Sequence, residues 1–182
     1  MDRSVALNWG STPEERRGAF PCDSYLSPGD AEYFRALSVD APACVLFRWL
    51  CQLKVAPYSY DWIDNFGRRS PRCLTPGAEK LVRGQRVMTI FELVEFENDR
   101  HLTVVLDVPR AASVFGRVAL SYVVVPTSDS SCRLVAKMRV RYPGKLPWSL
   151  IHWFLPWGDL LMMRKQLLTL KHLAERQFLS KG

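Results

Sequence analysis

Residues 133–142 alternate between apolar and polar side chains, and this regularity narrows the possible folds more than any other. One face carries Leu134, Ala136, Met138, Val140 and Tyr142, and the other carries Arg133, Val135, Lys137, Arg139 and Arg141. A period of two predicts a β-strand with one face in the core and the other in water. Apolar runs at residues 87–97, 101–108 and 116–125 predict neighbouring antiparallel strands.

The C-terminal part of the chain changes to a helical period. Apolar residues recur at steps of three and four at Leu160, Met163, Leu167, Leu170 and Ala174, with Leu161 and Leu168 beside them. This stripe predicts a helix over residues 157–178, roughly 33 Å long, that packs on the sheet. Pro156 is expected to break or kink the chain after a short helical segment at residues 147–155.

Between the first strand and the sheet, two short helices are predicted. Asp40 followed by Pro42 indicates the start of a helix that reaches about Leu53, with Asp40 as its N-cap. A second helix is predicted at residues 58–65, and the loop after it holds one short strand near Cys73.

The order of elements predicts an α+β fold. Residues 1–30 show little periodicity and predict an irregular N-terminal arm, which leaves residues 31–182 as a single domain. A strand at residues 32–39 precedes the helices, the run of strands and the long C-terminal helix. Segregated strands and helices predict a curved antiparallel sheet around one long helix, with a space between them.

Several segments resemble the START/SRPBCC (Bet v 1-like, helix-grip) superfamily. Val-Asp-Ala-Pro at residues 39–42 and Trp-Leu at 49–50 resemble its junction between first strand and first helix. Tyr-Ser-Tyr-Asp-Trp at 58–62, the arm at 8–15 and the Gly-containing stretch at 82–87 resemble one bacterial branch related to polyketide cyclase/dehydrase-type proteins.

The resemblance implies a cavity that binds a hydrophobic small molecule, such as a lipid or a polyketide. The superfamily includes polyketide aromatase/cyclases, lipid-transfer domains, hormone receptors and co-chaperone activators, and a shared fold does not select among them. Binding or carriage is the first hypothesis. An aromatase/cyclase-type enzyme acting on a polyketide-like substrate is the second, and peripheral membrane or partner docking is the third. Enzymatic activity and oligomeric state stay open.

Two groups of residues are predicted to bind the ligand. Tyr58, Tyr60 and Trp62 are expected at the mouth of the cavity. The inward side chains expected to line it are Leu120, Tyr122, Leu134, Ala136, Met138 and Met163. The alternative is that the first group caps the open end of the sheet and the second is ordinary core.

The chain has no GxSxG, HExxH, P-loop or GxGxxG motif, so no cofactor is predicted. Glu92 and Tyr60 are the candidates for a catalytic acid or base. A Glu92 that faced the cavity would have a raised pKa because of burial, whereas Phe91 and Leu93 favour the opposite orientation. The three His residues lack neighbours at metal-ligand spacing, so no metal site is predicted.

Positive charge is concentrated at the C-terminal end. Ten of the 25 Lys and Arg residues follow residue 132, with only two of the 18 acids. A solvated surface is one explanation, and an anionic partner is another. No aromatic residues interleave the basic ones, so no nucleic-acid partner is predicted. Trp148, Trp153 and Trp157 beside the basic helix suit weak contact with an anionic membrane, unless they close the bottom of the cavity.

The five Cys residues are odd in number and lack paired spacing, and the first residues show no secretory pattern. Reduced thiols and a cytoplasmic location are therefore predicted. Cys44 and Cys51 lie on an apolar helix and are expected to be buried and inert. Pro, His and Asp at residues 146–163 make that stretch a poor bilayer span.

Overall fold

The computed structural model describes residues 3–27, 29–65, 67–106, 108, 112, 116–142 and 148–180, and their side chains except at residues 3 and 148–154. The helices are α1 (Arg3–Asn8), α2 (Pro13–Arg17), α3 (Ala43–Cys51), α4 (Asp61–Asp64) and α5 (Trp148–Leu179). The strands are β1 (Ala31–Val39), β2 (Arg86–Val87), β3 (Phe91–Glu97), β4 (His101–Leu106), β5 (Arg117–Ser128) and β6 (Ser131–Arg141). Pro21–Tyr25 and Gln52–Lys54 form 3-10 helices.

The strands form a curved antiparallel sheet that packs against α5. Within the described residues the sheet has six strands in the order β1-β6-β5-β4-β3-β2. In the long β5–β6 pair, Leu120 lies opposite Met138 and Tyr122 lies opposite Ala136. The two short helices α3 and α4 follow β1. These observations confirm the predicted α+β, helix-grip architecture.

The connection after β1 differs from the prediction in its details. Asp40 is not the N-cap, because α3 begins at Ala43 and Pro42 occupies the cap position without a side-chain hydrogen bond. The Asp40 backbone N–H instead donates to Glu175 of α5 at 2.8 Å. The strand predicted near Cys73 is wrong, since those residues form a loop.

The strand predicted at residues 87–97 is divided into β2 and β3. Met88 and Thr89 have φ values of 48° and 68°, which reverse the local chain direction. Non-glycine residues rarely adopt this conformation, so the alternation of the sequence did not indicate the break.

A break or a kink is predicted at Pro156, and helix α5 continues through this residue, so the break does not occur. Its buried residues include the whole predicted stripe: Leu160, Met163, Leu167, Leu170 and Ala174. Leu161 and Leu168 do not belong to that stripe, because they are 54% and 38% exposed.

The outer face of the sheet is covered by the N-terminal arm, so the prediction of a solvated outer face is wrong. A second apolar cluster joins the arm to β1, β5 and β6, and it contains Phe20, Cys22, Leu26, Phe34, Ala36, Ala119 and Val135. Lys137 and Arg139 on this face are each only 5% exposed.

The basic residues of β6 are paired with acids rather than solvated. Lys137 lies 2.7 Å from Asp23 and 3.2 Å from Glu32. Arg133 lies 2.6 Å from Glu15 of the arm. Much of the positive charge that suggested a partner therefore stabilises contacts within the protein.

Candidate functional site

A cavity of about 410 Å³ lies between α5 and the inner face of the sheet. Its sheet side is lined mainly by Phe91, Leu106, Val118, Met138 and Val140. On the helix side, Leu155, Gly158 and Met162 face it, and Ile63 of α4 borders it. The wall is almost entirely apolar, which favours a hydrophobic occupant.

Three polar side chains interrupt this apolar wall. They are Tyr33 of β1, Tyr142 just after β6, and Asp159 of α5. The Tyr33 and Tyr142 hydroxyl groups contact each other in a short hydrogen bond. The polar groups give the cavity a place where a ligand oxygen or nitrogen can form a hydrogen bond.

Arg35 holds Asp159 in position. Its Nη2 lies 2.7 Å from Asp159 Oδ2, although the two residues are 124 positions apart. Its other hydrogen bonds run to the carbonyl groups of Leu7 at 3.1 Å, Phe34 at 2.8 Å and Pro156 at 3.4 Å. Arg35 is 1% exposed and the Asp159 side chain 18% exposed, so this is a largely buried ion pair that joins α1, β1 and α5.

Burial dominates the electrostatics of the pair. It raises the pKa of Asp159 to about 6, although the charge and hydrogen bond of Arg35 act in the opposite direction. Burial also lowers the pKa of Arg35, which Asp159 partly offsets. A carboxyl group of this kind exchanges protons near neutral pH, as an acid or base beside a ligand must.

The carboxyl carbon of Asp159 is expected to titrate in an NMR experiment with a midpoint near pH 6, instead of the roughly 3.9 of an exposed Asp. Because the folded state favours the protonated form, this group's stabilising contribution is present below about pH 4 and is lost as pH rises to about 6. Relative to Asp159→Asn, the native protein is expected to lose up to roughly 3 kcal/mol across that window. A midpoint below about pH 4.5 would contradict this assignment.

The predicted lining residues fall into two sets. Met138 lines the cavity. Five others lie in the packed core, at 0–7% exposure, and are not part of the cavity wall: Leu120, Tyr122, Leu134, Ala136 and Met163. The cavity lies toward the end of β6 that contains Met138 and Val140, because Tyr122 and its partners fill the space beyond.

Tyr122 is part of a buried polar chain rather than of the cavity. Its hydroxyl group donates to Gln166 Oε1 at 2.5 Å, and Gln166 Nε2 donates to the Pro57 carbonyl group at 2.7 Å. Burial raises the pKa of Tyr122, so the hydroxyl group stays protonated. The chain connects β5, α5 and the segment before Tyr58.

The three aromatic residues predicted at the cavity mouth, Tyr58, Tyr60 and Trp62, do not lie together at the cavity. Tyr58 is buried and lines a separate groove, and Trp62 is 76% exposed. Tyr60 is partly buried at the start of α4 and borders neither space within the described residues. Ile63 is the residue of this region that reaches the cavity. The ligand-binding roles of the three predicted residues stay predictions.

Glu92 lies on the outer side of the sheet. It pairs with Val105 in the register of β3 and β4, and Val105 packs in the outer apolar cluster. Phe91 and Leu93 face inward. This is the orientation that these two apolar side chains favoured in the sequence, with Glu92 on the opposite face. Glu92 is therefore not among the cavity-lining residues, and Asp159 is the carboxyl group that the fold brings there.

Sequence reasoning missed Arg35 and Asp159, although each has a local signal. Arg35 alternates with Tyr33 and Leu37 on β1, in register with side chains of the core. Asp159 precedes Leu160 and falls one turn before Met163 in the stripe of α5. A charged residue in the register of a buried face indicates a paired or functional group, because an unpaired buried charge is strongly unfavourable.

Two further predictions concern metal binding and contact with a membrane. No group of three or more His, Cys, Asp or Glu side chains within the described residues is arranged to hold a metal ion. In the same part of the chain, no helix is long and apolar enough to span a membrane. The side chains of Trp148 and Trp153 lie outside the described residues and Trp157 is partly buried, so membrane contact stays a prediction.

The cysteines are free thiols. Cys51 is buried as predicted, and burial raises its pKa to about 12. Cys44 is exposed, so the prediction of a buried thiol is wrong at that position.

No protein-family model matches the chain, and no curated protein matches it. Solved structures do match the chain in fold. The di-domain ARO/CYC BexL from the BE-7585A biosynthetic pathway superposes with a TM-score of 0.50 at 16% identity, over 79% of this chain and 46% of that one. The present chain thus spans about half the length of that protein.

Two bacterial proteins are similar over nearly their whole length. MLL2253 from Mesorhizobium loti has a TM-score of 0.50 at 13% identity, over 80% of this chain and 97% of that one. A protein from Thermobifida fusca has a TM-score of 0.51 at 16% identity, over 80% of this chain and 93% of that one. At such low identity the likeness concerns architecture alone, and it shows that this chain has the helix-grip fold.

Proposed function

We propose that this protein binds a hydrophobic small molecule, lipid-like or polyketide-like, in the cavity between α5 and the sheet. The observation that carries the proposal is the apolar cavity of about 410 Å³ with one polar region formed by Tyr33, Tyr142 and Asp159. Small-molecule sites typically have volumes of roughly 300–1,000 Å³, apolar walls and a few placed polar groups. The ligand class that fits is therefore largely apolar, with one hydroxyl, carbonyl or amine group.

Gly158→Phe is expected to weaken binding of the neutral dye Nile red at least tenfold, a loss of about 1.4 kcal/mol. Gly158 lines the cavity, and a Cβ atom added there meets no atom within 4 Å. A benzyl group can therefore occupy ligand space without a backbone clash. Replacing a helical Gly by Phe also removes roughly 0.3–0.5 kcal/mol of unfavourable helix propensity, so the fold is expected to persist. Fluorescence titration measures the binding.

The matched control is Val125→Phe, since Val125 is 46% exposed on β5 and does not line the cavity. That variant is expected to bind Nile red like the native protein. Native mass spectrometry of freshly purified protein is expected to show a bound small molecule that Gly158→Phe loses. Unchanged dye binding by a folded Gly158→Phe protein would contradict the proposal.

An aromatase/cyclase-type enzyme is the second candidate, and Asp159 is the observation that favours it. The pKa of its carboxyl group, about 6, suits a general acid or base at the cavity wall, and Arg35 acts as its positioning residue. In a cyclisation assay with a poly-β-ketone substrate, Asp159→Asn separates the two functions. An enzyme loses roughly 10²–10⁴-fold in rate and its pH dependence near 6, whereas a carrier shows no turnover in either form.

The cytoplasmic location and the lack of a nucleic-acid partner belong to the same proposal. The free thiols support the first, because disulfides are rare in the cytoplasm. The ion pairs that Lys137, Arg139 and Arg141 make with acids support the second, because these charges are already satisfied within the chain.

A further inference from the structure

A second concave space, here called the basic groove, lies between residues 58–72 and the part of α5 from Lys165 to Leu173. Its volume is about 450 Å³. Unlike the apolar cavity, it combines basic groups, hydroxyl groups and a small apolar wall: Arg69, Arg72, Lys165, His172, Ser70, Thr169, Pro71 and Leu168 all line it. None of these residues borders the apolar cavity.

The basic groups of the groove lie close together and lack acidic partners. Within the described residues no carboxylate oxygen lies within ion-pair distance of the Arg69, Arg72, Lys165 or His172 side chains. The acid of the groove, Asp61, is already engaged: its Oδ2 accepts from the Ser70 N–H at 3.0 Å and its Oδ1 from the Ser70 hydroxyl group at 2.5 Å. The groove therefore carries an excess of positive charge.

Tyr58 provides the second, independent observation. It forms part of the groove wall, it is 1% exposed, and its hydroxyl group has no hydrogen-bond partner among the described residues. Its ring is held edge-on against Trp49, with centroids 6.2 Å apart, and its backbone has a φ of 57°. Burial raises the pKa of Tyr58 to about 12, so the group is a donor at neutral pH. A buried donor without an acceptor is unfavourable, and an oxyanion would supply the missing acceptor.

We propose that the basic groove binds a small phosphate-bearing molecule, with Arg69 and Arg72 forming charge-assisted hydrogen bonds to phosphate oxygens and the Tyr58 hydroxyl group donating a further one. Planar guanidinium groups match the oxygens of phosphate better than a point charge does. Lys165 adds charge from α5, and Leu168 offers apolar contact to the carbon part of the ligand. The site is separate from the cavity of the proposed function, so either can exist without the other.

The test uses inorganic pyrophosphate as the probe and the full chain at low ionic strength, with isothermal titration calorimetry. Native protein is expected to bind it, and the double variant Arg69→Gln/Arg72→Gln is expected to bind at least tenfold more weakly. The matched control is Arg83→Gln/Arg86→Gln, which removes the same charge from two exposed residues outside the groove. Equal weakening by both double variants would show general charge attraction and overturn the proposal.

Tyr58→Phe distinguishes ligand binding from a structural role. The variant is expected to weaken pyrophosphate binding about threefold or more, with thermal stability unchanged or higher, because the hydroxyl group has no partner within the described residues. Unchanged pyrophosphate affinity would remove this group from the site. Nile red binding is expected to be unchanged in the two groove variants and in the control, so failure here is distinguishable from failure of the cavity proposal. If the protein bound anionic phosphatidylglycerol vesicles but not pyrophosphate, the proposal of a small phosphate-bearing ligand would also be overturned.

Discussion

Arg35→Met is expected to lower the free energy of unfolding by about 3–5 kcal/mol at pH 7. The reason is that Asp159 would lose the cation that favours its charged form and would have to stay an unpaired buried carboxylate or take up a proton, and the carbonyl groups of Leu7 and Pro156 would lose a donor. The loss is expected to shrink as pH falls toward 5, because the carboxyl group without Arg35 takes up a proton at a higher pH than the paired one does. Urea unfolding followed by circular dichroism at the two pH values measures both effects.

The double variant Arg35→Met/Asp159→Leu is the control for this result. Replacing both members of a buried ion pair with apolar residues is often neutral, so the double variant is expected to be more stable than the single one. A single variant that loses less than about 1 kcal/mol would show that the pair does not hold β1 against α5.

Arg139→Met is expected to lower the free energy of unfolding by about 3 kcal/mol and to release the N-terminal arm. The buried guanidinium group donates to the backbone carbonyl groups of Asp23 at 3.2 Å, Leu26 at 3.0 Å and Ser27 at 2.7 Å. Without it these acceptors lose their donor on the covered face of the sheet. Hydrogen exchange of residues 20–27 is expected to become much faster than in the native protein.

Arg141→Met is the matched control, since Arg141 lies on the same face of β6. Its side chain is 38% exposed and donates to both carboxylate oxygens of Asp30, at 3.0 and 3.2 Å, but to no backbone carbonyl group of the described residues, and such a partly exposed pair contributes about 1 kcal/mol. If Arg139→Met is no more destabilising than Arg141→Met, the arm is held by its apolar cluster and by the ion pairs of Lys137 and Arg133, without a contribution from Arg139. The division into an arm of residues 1–30 and a domain of residues 31–182 stays a prediction.

The fold could be predicted because its main signals are local. The alternation of Leu134, Ala136, Met138 and Val140 and the stripe from Leu160 to Ala174 both follow from the geometry of one element. The inward faces of β6 and α5 are therefore the predicted ones. The failures of local structure come from residues that break a rule, such as Pro156 within a helix and Met88 at positive φ, where tertiary packing overrides propensity.

The candidate site was harder to predict because its position depends on where the side chains of the sheet and of α5 are no longer in contact with each other. Met138 and Tyr122 lie on the same inner face, yet only Met138 reaches the cavity, since Gln166 and Met163 fill the space around Tyr122. Periodicity assigns a face to a side chain but not the distance to the opposite element. No pattern within β6 or β5 separates core from cavity wall.

By itself the sequence determined the order of strands and helices, the helix-grip architecture and the face that each long element turns inward. Tertiary structure alone decided which groups the buried charged side chains contact. Arg35 and Asp159 are 124 residues apart, and Arg139 meets carbonyl groups more than 100 residues away in the arm. Local periodicity cannot encode such partners, because they are chosen by the packing of distant segments, in which a buried charge is tolerated only where a partner is supplied.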